Sequence, residues 1–407
     1  MEKLGVIADD FTGATDIAGF LAAYGMQTVL CDGYEAHLGS ADCDAIVVSL
    51  KIRSCRAREA VNEAVSALTY LQQNGCTRFY YKYCSTFDST AQGNIGPVTD
   101  ALMDILNVPI TIVCPALPVN ARTVYNGYLF VGDRLLHESS MKDHPINPMR
   151  DSKLSRLMEA QSQGKCTHIA YPEIQLDSAH IAALILQGEQ AGFRYVVVDV
   201  VQDADLDMIA EATMSMPLVT GGSGLAISIA KHVSKLRTSA RTLQRPVSAP
   251  TVIFSGSCSE QTNLQVQYYL TSAPSMRIDE NRLDDPTYPE SIAQWIGKQD
   301  TNFLAPIVYS TKQADCVRSQ IATMIESLFA QIAVRAVKIG IRNFIVAGGE
   351  TSGAVVKALN LGTFEVGPLV EPGVPWIHAL SAPHWLVLKS GNFGSIDFFI
   401  KAQEYYQ

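Results

Sequence analysis

Short apolar runs alternate with longer amphipathic stretches through the first half of the chain. The apolar runs predict buried strands at residues 4–8, 28–31, 45–50, 78–83, 110–114, 195–200 and 218–220. Between them, residues 58–73 carry apolar side chains at helical spacing, and residues 94–106 form a second helix candidate. Strands that alternate with helices predict βαβ units around a mostly parallel sheet.

The alternation is interrupted at residues 234–250, where polar residues are followed by Pro246 and Pro250. A stretch of this composition is typical of an interdomain linker. The pattern then resumes, with strands predicted at 251–254, 307–310, 344–347 and 385–388 and helices near 260–270, 317–337, 352–359 and 396–405. We therefore predict two three-layer α/β domains with mostly parallel sheets, residues 1–240 and 241–407. The length of 407 residues agrees, because single cores stop growing near 250–300 residues.

The composition excludes several classes of protein. Hydrophobic residues make up 47% and charged residues 17%, which is typical of a globular chain. The net charge of −9 and the lack of a dense basic run argue against a nucleic-acid partner. No uncharged apolar run reaches the length of a membrane span, and the nine cysteines form no CxxC pair or zinc spacing. We expect a cytoplasmic protein without a membrane partner, and the sequence leaves its oligomeric state open, a homo-oligomer included.

The turn after the strand at 251–254 is rich in hydroxyls. In open α/β sheets, ligands bind where strands end and helices begin. Here Ser255, Gly256, Ser257 and Ser259 precede a helix, and Ser257 with Glu260 matches a helix-capping box. Helix initiation alone would explain the capping pair, but the extra hydroxyls and the glycine favour an anion site.

Two further turns in the second half have similar chemistry. Residues 348–353 contain paired glycines that allow close backbone approach, hydroxyls that can donate to phosphate, and Glu350, which could hold Mg²⁺. Residues 389–394 offer Lys389 to offset phosphate charge, with Gly391 and Asn392 to surround a nucleotide. Each turn alone could be an ordinary surface turn, but three of them in one domain predict a nucleotide pocket. Its predicted residues are Ser255, Gly256, Ser257, Ser259, Gly348, Gly349, Glu350, Thr351, Gly391 and Asn392.

Known nucleotide signatures do not explain this pocket. The chain has no G-x-x-x-x-G-K-[ST] loop and no protein-kinase motif set. Residues 222–224 resemble the start of a dinucleotide fingerprint but lack its third small residue. An NAD-dependent sugar-acid dehydrogenase is therefore the weaker enzymatic alternative.

The first half has carboxylates at a strand-to-helix turn. Asp9 and Asp10 follow the strand at 4–8, and Asp16 lies further along. One acid could simply cap the helix while the others are solvated. The functional alternative is that a carboxylate here binds substrate hydroxyls, acts as general base or ligates Mg²⁺.

Cations and hydroxyls follow two other strands of the first half. The segment 82–90 and the glycine turn after it could hold a carboxylate and a polyol, and cations after the strand at 45–50 would lie at the same sheet edge. The predicted substrate-binding residues are Lys51, Arg53, Lys82, Ser85, Thr86 and Asp88, with Arg122 and His144 as weaker candidates.

Six dispersed segments together resemble the four-carbon acid sugar kinase family: residues 5–14, 82–90, 114–120, 255–259, 348–352 and 389–394. The resemblance runs in order along nearly the whole chain. It implies that the N-terminal domain binds a sugar acid, that the C-terminal domain binds ATP, and that the active site lies in the interdomain cleft. It further implies phosphorylation of the 4-hydroxyl with Mg²⁺, in four-carbon acid sugar catabolism before a decarboxylation.

One departure from the family pattern bears on the substrate. Threonate and erythronate kinases of the family carry a K-x-D-S-T-x-R-G-N type of segment, whereas residues 82–94 lack the arginine before Gly93 and contain an insertion. This favours a 3-oxo-tetronate over D-threonate or D-erythronate. Phosphoryl transfer would use Asp9 or Asp10 as base, with ATP phosphates on the turns at 255–259 and 348–351. The alternative of a different class is a nucleotide-responsive binding or regulatory protein without turnover.

Overall fold

A computed structural model describes residues 2–38, 43–144, 147–235, 243–299, 304–310 and 319–406, without the side chains of residues 319 and 320. Contacts divide the chain into two compact units, Met1–Arg241 and Thr242–Gln407. The border predicted at residues 240 and 241, and the predicted start of the helix at 317–337, lie outside the described residues.

The first unit is built on a sheet of eight parallel strands: β1 (Lys3–Ala8), β2 (Thr28–Asp32), β3 (Ala45–Ser49), β4 (Cys76–Lys82), β5 (Thr111–Cys114), β9 (Cys166–Ile169), β10 (Tyr195–Val198) and β11 (Leu218–Gly221). Their order in the sheet is β2-β3-β1-β4-β11-β5-β10-β9. A second, antiparallel sheet consists of β6 (Arg122–Tyr125), β7 (Tyr128–Val131) and β8 (Arg134–Leu135). The central strands are almost wholly buried, because both of their faces are covered.

Helices cover both faces of the large sheet. They are α1 (Phe11–Ala23), α2 (Ala57–Gln73), α3 (Ile95–Leu106), α4 (Leu154–Glu159), α5 (Tyr171–Ile174), α6 (Ser178–Gln190), α7 (Asp203–Ala212) and α8 (Gly224–Lys235). Contacts join α1, α8, α7, α6 and α5 into one layer, and α2, α3 and α4 into the other. The unit is therefore a three-layer α/β domain, as the alternating pattern predicted.

The second unit has a mixed sheet of seven strands: β12 (Thr251–Ser255), β13 (Ser275–Arg277), β14 (Ile307–Tyr309), β15 (Asn343–Ala347), β16 (Thr363–Glu371), β17 (Val374–Ala379) and β18 (Trp385–Lys389). Their order in the sheet is β13-β14-β12-β15-β18-β17-β16. Five are parallel, whereas β16 and β17 form an antiparallel hairpin beside β18. Helices α10 (Tyr288–Gly297), α11 (Ser319–Lys338) and α12 (Gly349–Leu359) form one layer, and α9 (Glu260–Tyr269) and α13 (Phe398–Lys401) contact each other in a second.

Short 3₁₀ helices complete the described chain at Pro118–Asn120, Leu136–Glu138, Ser140–Asp143, Glu280–Arg282 and Ala402–Tyr405. Among the residues described, no helix combines the length and the apolar character needed to cross a membrane. The prediction of an α/β protein with mostly parallel sheets is confirmed. The antiparallel elements β6–β8 and β16–β17 were not predicted.

Candidate active site

Four neighbouring parallel strands of the first unit end side by side. Ala8 of β1 is in register with Ser49 of β3 and with Lys82 of β4, and Lys82 is in register with Gly221 of β11. The segments that follow these strands therefore meet at one edge of the sheet. Most of the sugar-acid residues predicted from the sequence lie in those segments.

Arg53 joins the two aspartates that follow β1. Its Nε and Nη2 donate to the two carboxylate oxygens of Asp9, each at 2.8 Å, and Nη2 also lies 2.8 Å from Oδ1 of Asp10. Because the bidentate pair uses both oxygens of Asp9, whose side chain is 4% exposed, this carboxylate serves to hold Arg53.

Asp10 is the more accessible of the two acids, with a side chain 26% exposed. It is the N-cap of α1, accepting from the Gly13 N–H at 2.8 Å and from the Thr12 hydroxyl at 3.0 Å. Burial would raise the pKa of Asp10, but Arg53 and Lys82 outweigh it and hold that pKa below its ordinary value. Asp10 is therefore ionised at neutral pH and able to accept a proton hydrogen-bonded to it.

Lys82 is a buried cation at the first turn of α1, with 3% of its surface exposed. Its ammonium lies where Gly13 has no side chain: a Cβ on that glycine would be 2.3 Å from Lys82 Nζ. Its nearest carboxylate oxygen in the described part of the chain is Oδ2 of Asp16, at 4.0 Å. No hydrogen-bond acceptor for Nζ is found there, so this cation is available to an anionic ligand.

Asp16 lies deeper than the other two aspartates. Its Oδ2 accepts from the Ser223 hydroxyl at 2.5 Å, and its Oδ1 is buried without a hydrogen-bond partner among the described residues. Burial raises the pKa of Asp16 to about 6, although Lys82 and Ser223 oppose the shift. Ser223 was not among the predicted site residues, and its only sequence signal was the glycine-flanked turn that resembled a dinucleotide fingerprint.

The raised pKa of Asp16 predicts a pH-dependent stability difference between wild type and Asp16→Asn. An acid whose pKa is higher in the folded than in the unfolded state stabilises the fold below its unfolded pKa, and that contribution disappears as pH rises through the folded pKa. From pH 4 to above 6, wild type should therefore lose up to ~3 kcal/mol relative to Asp16→Asn, at about 1.4 kcal/mol per pKa unit. Denaturant unfolding of both proteins at several pH values measures this difference, and a difference that does not change with pH would contradict it.

The segment after β4 forms a compact loop of short polar side chains. Thr86 donates to Oδ1 of Asp88 at 2.7 Å and lies 2.9 Å from the Cys84 sulfur, and both Thr86 and Asp88 are buried. Phe87, fully buried between them, has a φ of +49°, which a bulky residue rarely adopts. Ser85 is half-buried, and its hydroxyl has no partner in the part of the chain described here. Ser85 is thus the hydroxyl of this loop that remains available.

The other predicted substrate residues are placed less centrally. Lys51 is exposed. Arg122 donates to the Asn120 carbonyl, and His144 accepts from the Asn147 N–H at 3.1 Å, so both bind their own loops.

The glycines of residues 222–224 have a packing role. A Cβ on Gly222 would lie 2.5 Å from the Pro115 carbonyl oxygen, and one on Gly224 would lie 2.4 Å from that of Ala116. Close approach of α8 to the neighbouring strand end therefore explains them, which removes the observation on which the dehydrogenase alternative rested.

In the second unit the three predicted nucleotide turns lie together. Ser255 of β12 is in register with Ala347 of β15, which is in register with Lys389 of β18. A Cβ on Gly348 would lie 3.1 Å from the Ser257 nitrogen, and one on Gly391 would lie 2.6 Å from the Ser257 hydroxyl.

The turns bring two helix N-termini into this cluster. Helix α9 begins at Glu260 with Ser259 as its N-cap, and α12 begins at Gly349 with Gly348 as its N-cap. The first N–H groups of a helix have no intrahelical acceptor and attract anions. Gly348 has a φ of +121°, a conformation that requires glycine, and the Ser352 hydroxyl is buried in the first turn of α12 without a partner among the described residues. The arrangement suits phosphate groups, and Ser352 is a candidate that the sequence analysis did not include.

Two expectations about these turns were wrong. The N-cap of α9 is Ser259, which accepts from the Thr262 N–H at 3.2 Å, rather than Ser257 in a capping box with Glu260. The Ser257 hydroxyl instead accepts from the N–H of Ser259, the residue just before the helix, at 3.2 Å. Lys389 is fully buried, and its ammonium donates to protein oxygens instead of facing a phosphate.

The remaining nucleotide candidates line the same turns. Gly256 is packed so closely that a Cβ would lie 2.2 Å from the Thr351 hydroxyl. Gly349, Glu350 and Asn392 are exposed. In the described part of the chain, no cluster of three His, Cys, Asp or Glu side chains could hold a metal ion. Glu350 is thus a single carboxylate at the start of α12, which suits a Mg²⁺ ion that binds mainly to nucleotide phosphates.

Two family models match the chain. One, described as a sugar-binding N-terminal domain, matches residues 4–229, and the other, described as a nucleotide-binding C-terminal domain, matches residues 252–399. The first match lies in the unit that contains the predicted sugar-acid residues, and the second lies in the unit that contains the predicted nucleotide turns.

Curated relatives and solved structures are similar over the full length. A Salmonella typhimurium protein named 3-oxo-tetronate kinase is 48% identical, covering 100% of both chains, and a Brucella melitensis protein of the same name is 46% identical, covering 99% of this chain and 95% of its own. A Salmonella typhimurium LT2 crystal structure described as a tRNA synthase has a TM-score of 0.94 at 47% identity, covering 100% of both chains. A Haemophilus influenzae crystal structure has a TM-score of 0.84 at 46% identity, covering 99% of this chain and 100% of that one.

Proposed function

The chain belongs to the family that combines a sugar-binding N-terminal domain with a nucleotide-binding C-terminal domain, and on this premise we propose that it is a 3-oxo-tetronate kinase. It transfers the γ-phosphoryl group of ATP to the 4-hydroxyl of the four-carbon acid and releases ADP. Full-length relatives with this name at 46–48% identity support the assignment, and the family resemblance inferred from six segments of the sequence is confirmed.

The observation that carries the proposal is the convergence of three strand-end turns in the second unit. Two helix N-termini, at Ser259 and Gly348, and the Gly391 turn lie together there. Phosphoryl transfer depends mainly on positioning and on compensating phosphate charge, and helix N-termini supply both without a G-x-x-x-x-G-K-[ST] loop. ATP is therefore held by backbone N–H groups and hydroxyls, with Glu350 assisting a Mg²⁺ ion that arrives on the phosphates.

The acceptor binds at the sheet edge of the first unit. Lys82 and the half-buried Ser85 hold the substrate carboxylate, and Arg53, which Asp9 and Asp10 fix in place, has further N–H groups that can donate to it. Asp10 accepts the proton of the attacking hydroxyl, because it is ionised and partly exposed while Asp9 is fully engaged.

The choice of a 3-oxo acid over D-threonate and D-erythronate rests on the relatives' names and on the unusual segment 82–94. We also propose that the enzyme works in the cytoplasm, because its described cysteines form no disulfides and ATP is its co-substrate.

A coupled assay of ADP release tests the proposal. Purified protein with MgATP should release ADP when D- or L-3-oxo-tetronate is added, and less efficiently with D-threonate or D-erythronate. No ADP with any of these acids would overturn the kinase assignment, whereas a preference for threonate or erythronate would overturn only the substrate. The control is Gly256→Val, in which a side chain collides with Thr351 in the nucleotide turns. This variant should release ADP more slowly than wild type, and equal rates from both preparations would point to a contaminating kinase unless MgADP binding is also unchanged in the variant.

A further inference from the structure

Lys389 is a buried lysine without a counter-ion. Its side chain has 0% exposure at the end of β18, and Nζ donates to the Thr262 hydroxyl at 2.8 Å and to the carbonyls of Ser390 at 3.0 Å and Gly391 at 3.1 Å. No carboxylate in the described part of the chain lies within salt-bridge distance of it. A buried ammonium without a counter-ion is costly, so a lysine placed in this way either gives up its proton or gains a negative partner.

The Gly391 carbonyl receives donors from three side chains. Besides Lys389, the hydroxyls of Ser259 and Thr262 donate to it at 2.6 and 2.7 Å. These three donors fix the direction of the Gly391 carbonyl. Lys389 also donates to the Ser390 carbonyl and so fixes the direction of that group.

The fixed carbonyls determine where the adjacent N–H groups point. All described peptide bonds are trans, and in a planar trans peptide the C=O and the following N–H point in opposite directions. The N–H groups of Gly391 and Asn392 therefore point away from Lys389, and neither has an acceptor within the residues described. Successive N–H groups on the same side of a turn form an anion-binding concavity.

We propose that Lys389 is a positioning residue for the nucleotide site: its ammonium turns the N–H groups of Gly391 and Asn392 toward the nucleotide phosphates and takes up a proton when nucleotide binds. This inference rests on the proposed nucleotide site and adds to it a linkage between protonation and binding. The cation does not touch the phosphates. It acts through the two peptide groups, which it polarises from their carbonyl ends.

Burial lowers the pKa of Lys389 to about 7. The titratable residues on the elements packed against it are Glu260, Tyr268 and Tyr269 on α9, Glu350 and Lys357 on α12, His378 on β17 and Lys401 on α13. None of them forms an ion pair with Nζ, and desolvation accounts for the shift. Negative phosphate charge nearby favours the ammonium form, so nucleotide binding should draw in protons just above neutral pH.

Titration calorimetry with MgADP between pH 6.5 and 9 tests the proposal. In wild type, the Kd should rise with pH by up to tenfold per pH unit above 7, since at most one proton is coupled to binding. Measurements in two buffers of different ionisation enthalpy should show net proton uptake near pH 7.5 to 8.

Lys389→Met should bind MgADP more weakly at pH 7, with a Kd independent of pH and no proton uptake. Lys389→Arg, charged at every pH, should bind with a pH-independent Kd closer to that of wild type at pH 7.

The outcomes separate this inference from the proposed function. A wild-type protein that binds no MgADP contradicts the nucleotide site itself. Binding with a flat pH profile and no proton uptake, or the same profile in Lys389→Met, overturns the role of Lys389 alone. If circular dichroism shows that Lys389→Met does not fold, the pH profile and the proton uptake of the wild type still decide whether protonation is linked to nucleotide binding.

Discussion

Replacing Asp10 by Asn is expected to lower kcat by roughly 10²- to 10⁴-fold, the range that a positioned general base contributes. Asn is as good an N-cap as Asp, so its side-chain oxygen can still accept from the Gly13 N–H and keep α1 in place. The variant loses the carboxylate that takes the proton of the attacking hydroxyl, and with it the ion pair to Arg53, which the two hydrogen bonds to Asp9 still hold. Steady-state kinetics at saturating MgATP and sugar acid measures kcat, and thermal melting of the same preparation measures whether the fold is kept.

Asp9→Asn is the informative comparison, because it makes the same chemical change one residue away. Both oxygens of Asp9 accept from Arg53, and its side chain is 4% exposed. Breaking a buried ion pair costs about 3–5 kcal/mol, so this variant should lose stability. Wild-type kcat in a folded Asp10→Asn protein would show that Asp10 only caps α1.

The sequence could predict which residues of the site lie together when those residues directly follow strands. Parallel strands place their carboxyl ends at one edge, so the residues after β1, β3 and β4 must meet, and so must the turns after β12, β15 and β18. Continuous apolar runs identified those strands, because each strand is buried on both faces.

The orientation of individual side chains could not be predicted in this way. Lys389 and Lys82 both end parallel strands, yet the ammonium of Lys389 donates to protein carbonyls while that of Lys82 has no acceptor in the described part of the chain. Two acceptors of Lys389 are the next two residues of its own turn, but the third is the Thr262 hydroxyl, 127 residues away, and Ser223 donates to Asp16 from 207 residues away. No local pattern encodes such contacts.

The antiparallel hairpin of β16 and β17 was missed although a local signal was present. Pro372 and Gly373 form its turn, with Gly373 at a φ of +79° and Glu371 paired with Val374. A Pro-Gly pair between two apolar segments is a turn signal. The prediction assigned strands and helices in alternation, and a hairpin does not fit that pattern because its two strands have no helix between them.

Lys82→Met should lower kcat/KM for the sugar acid by about 10²- to 10³-fold, because truncating one partner of a buried charge pair typically costs 2–5 kcal/mol. The Kd for MgADP should stay unchanged, since Lys82 lies in the sugar-binding unit. Folding should survive, because Asp16, whose pKa is about 6 even with Lys82 lowering it, can take up a proton once that cation is gone.

Lys51→Met is the matched control for this prediction: it removes the same charge near the same sheet edge, but from an exposed side chain. Its kcat/KM should stay within a few-fold of wild type, since an exposed charge is screened by solvent. Equal losses in both variants would mean that net charge, rather than the buried ammonium beside Gly13, attracts the acid. A large loss for Lys82→Met alone would instead tie recognition to that ammonium, because a Cβ at Gly13 would lie 2.3 Å from it and only glycine there leaves it room.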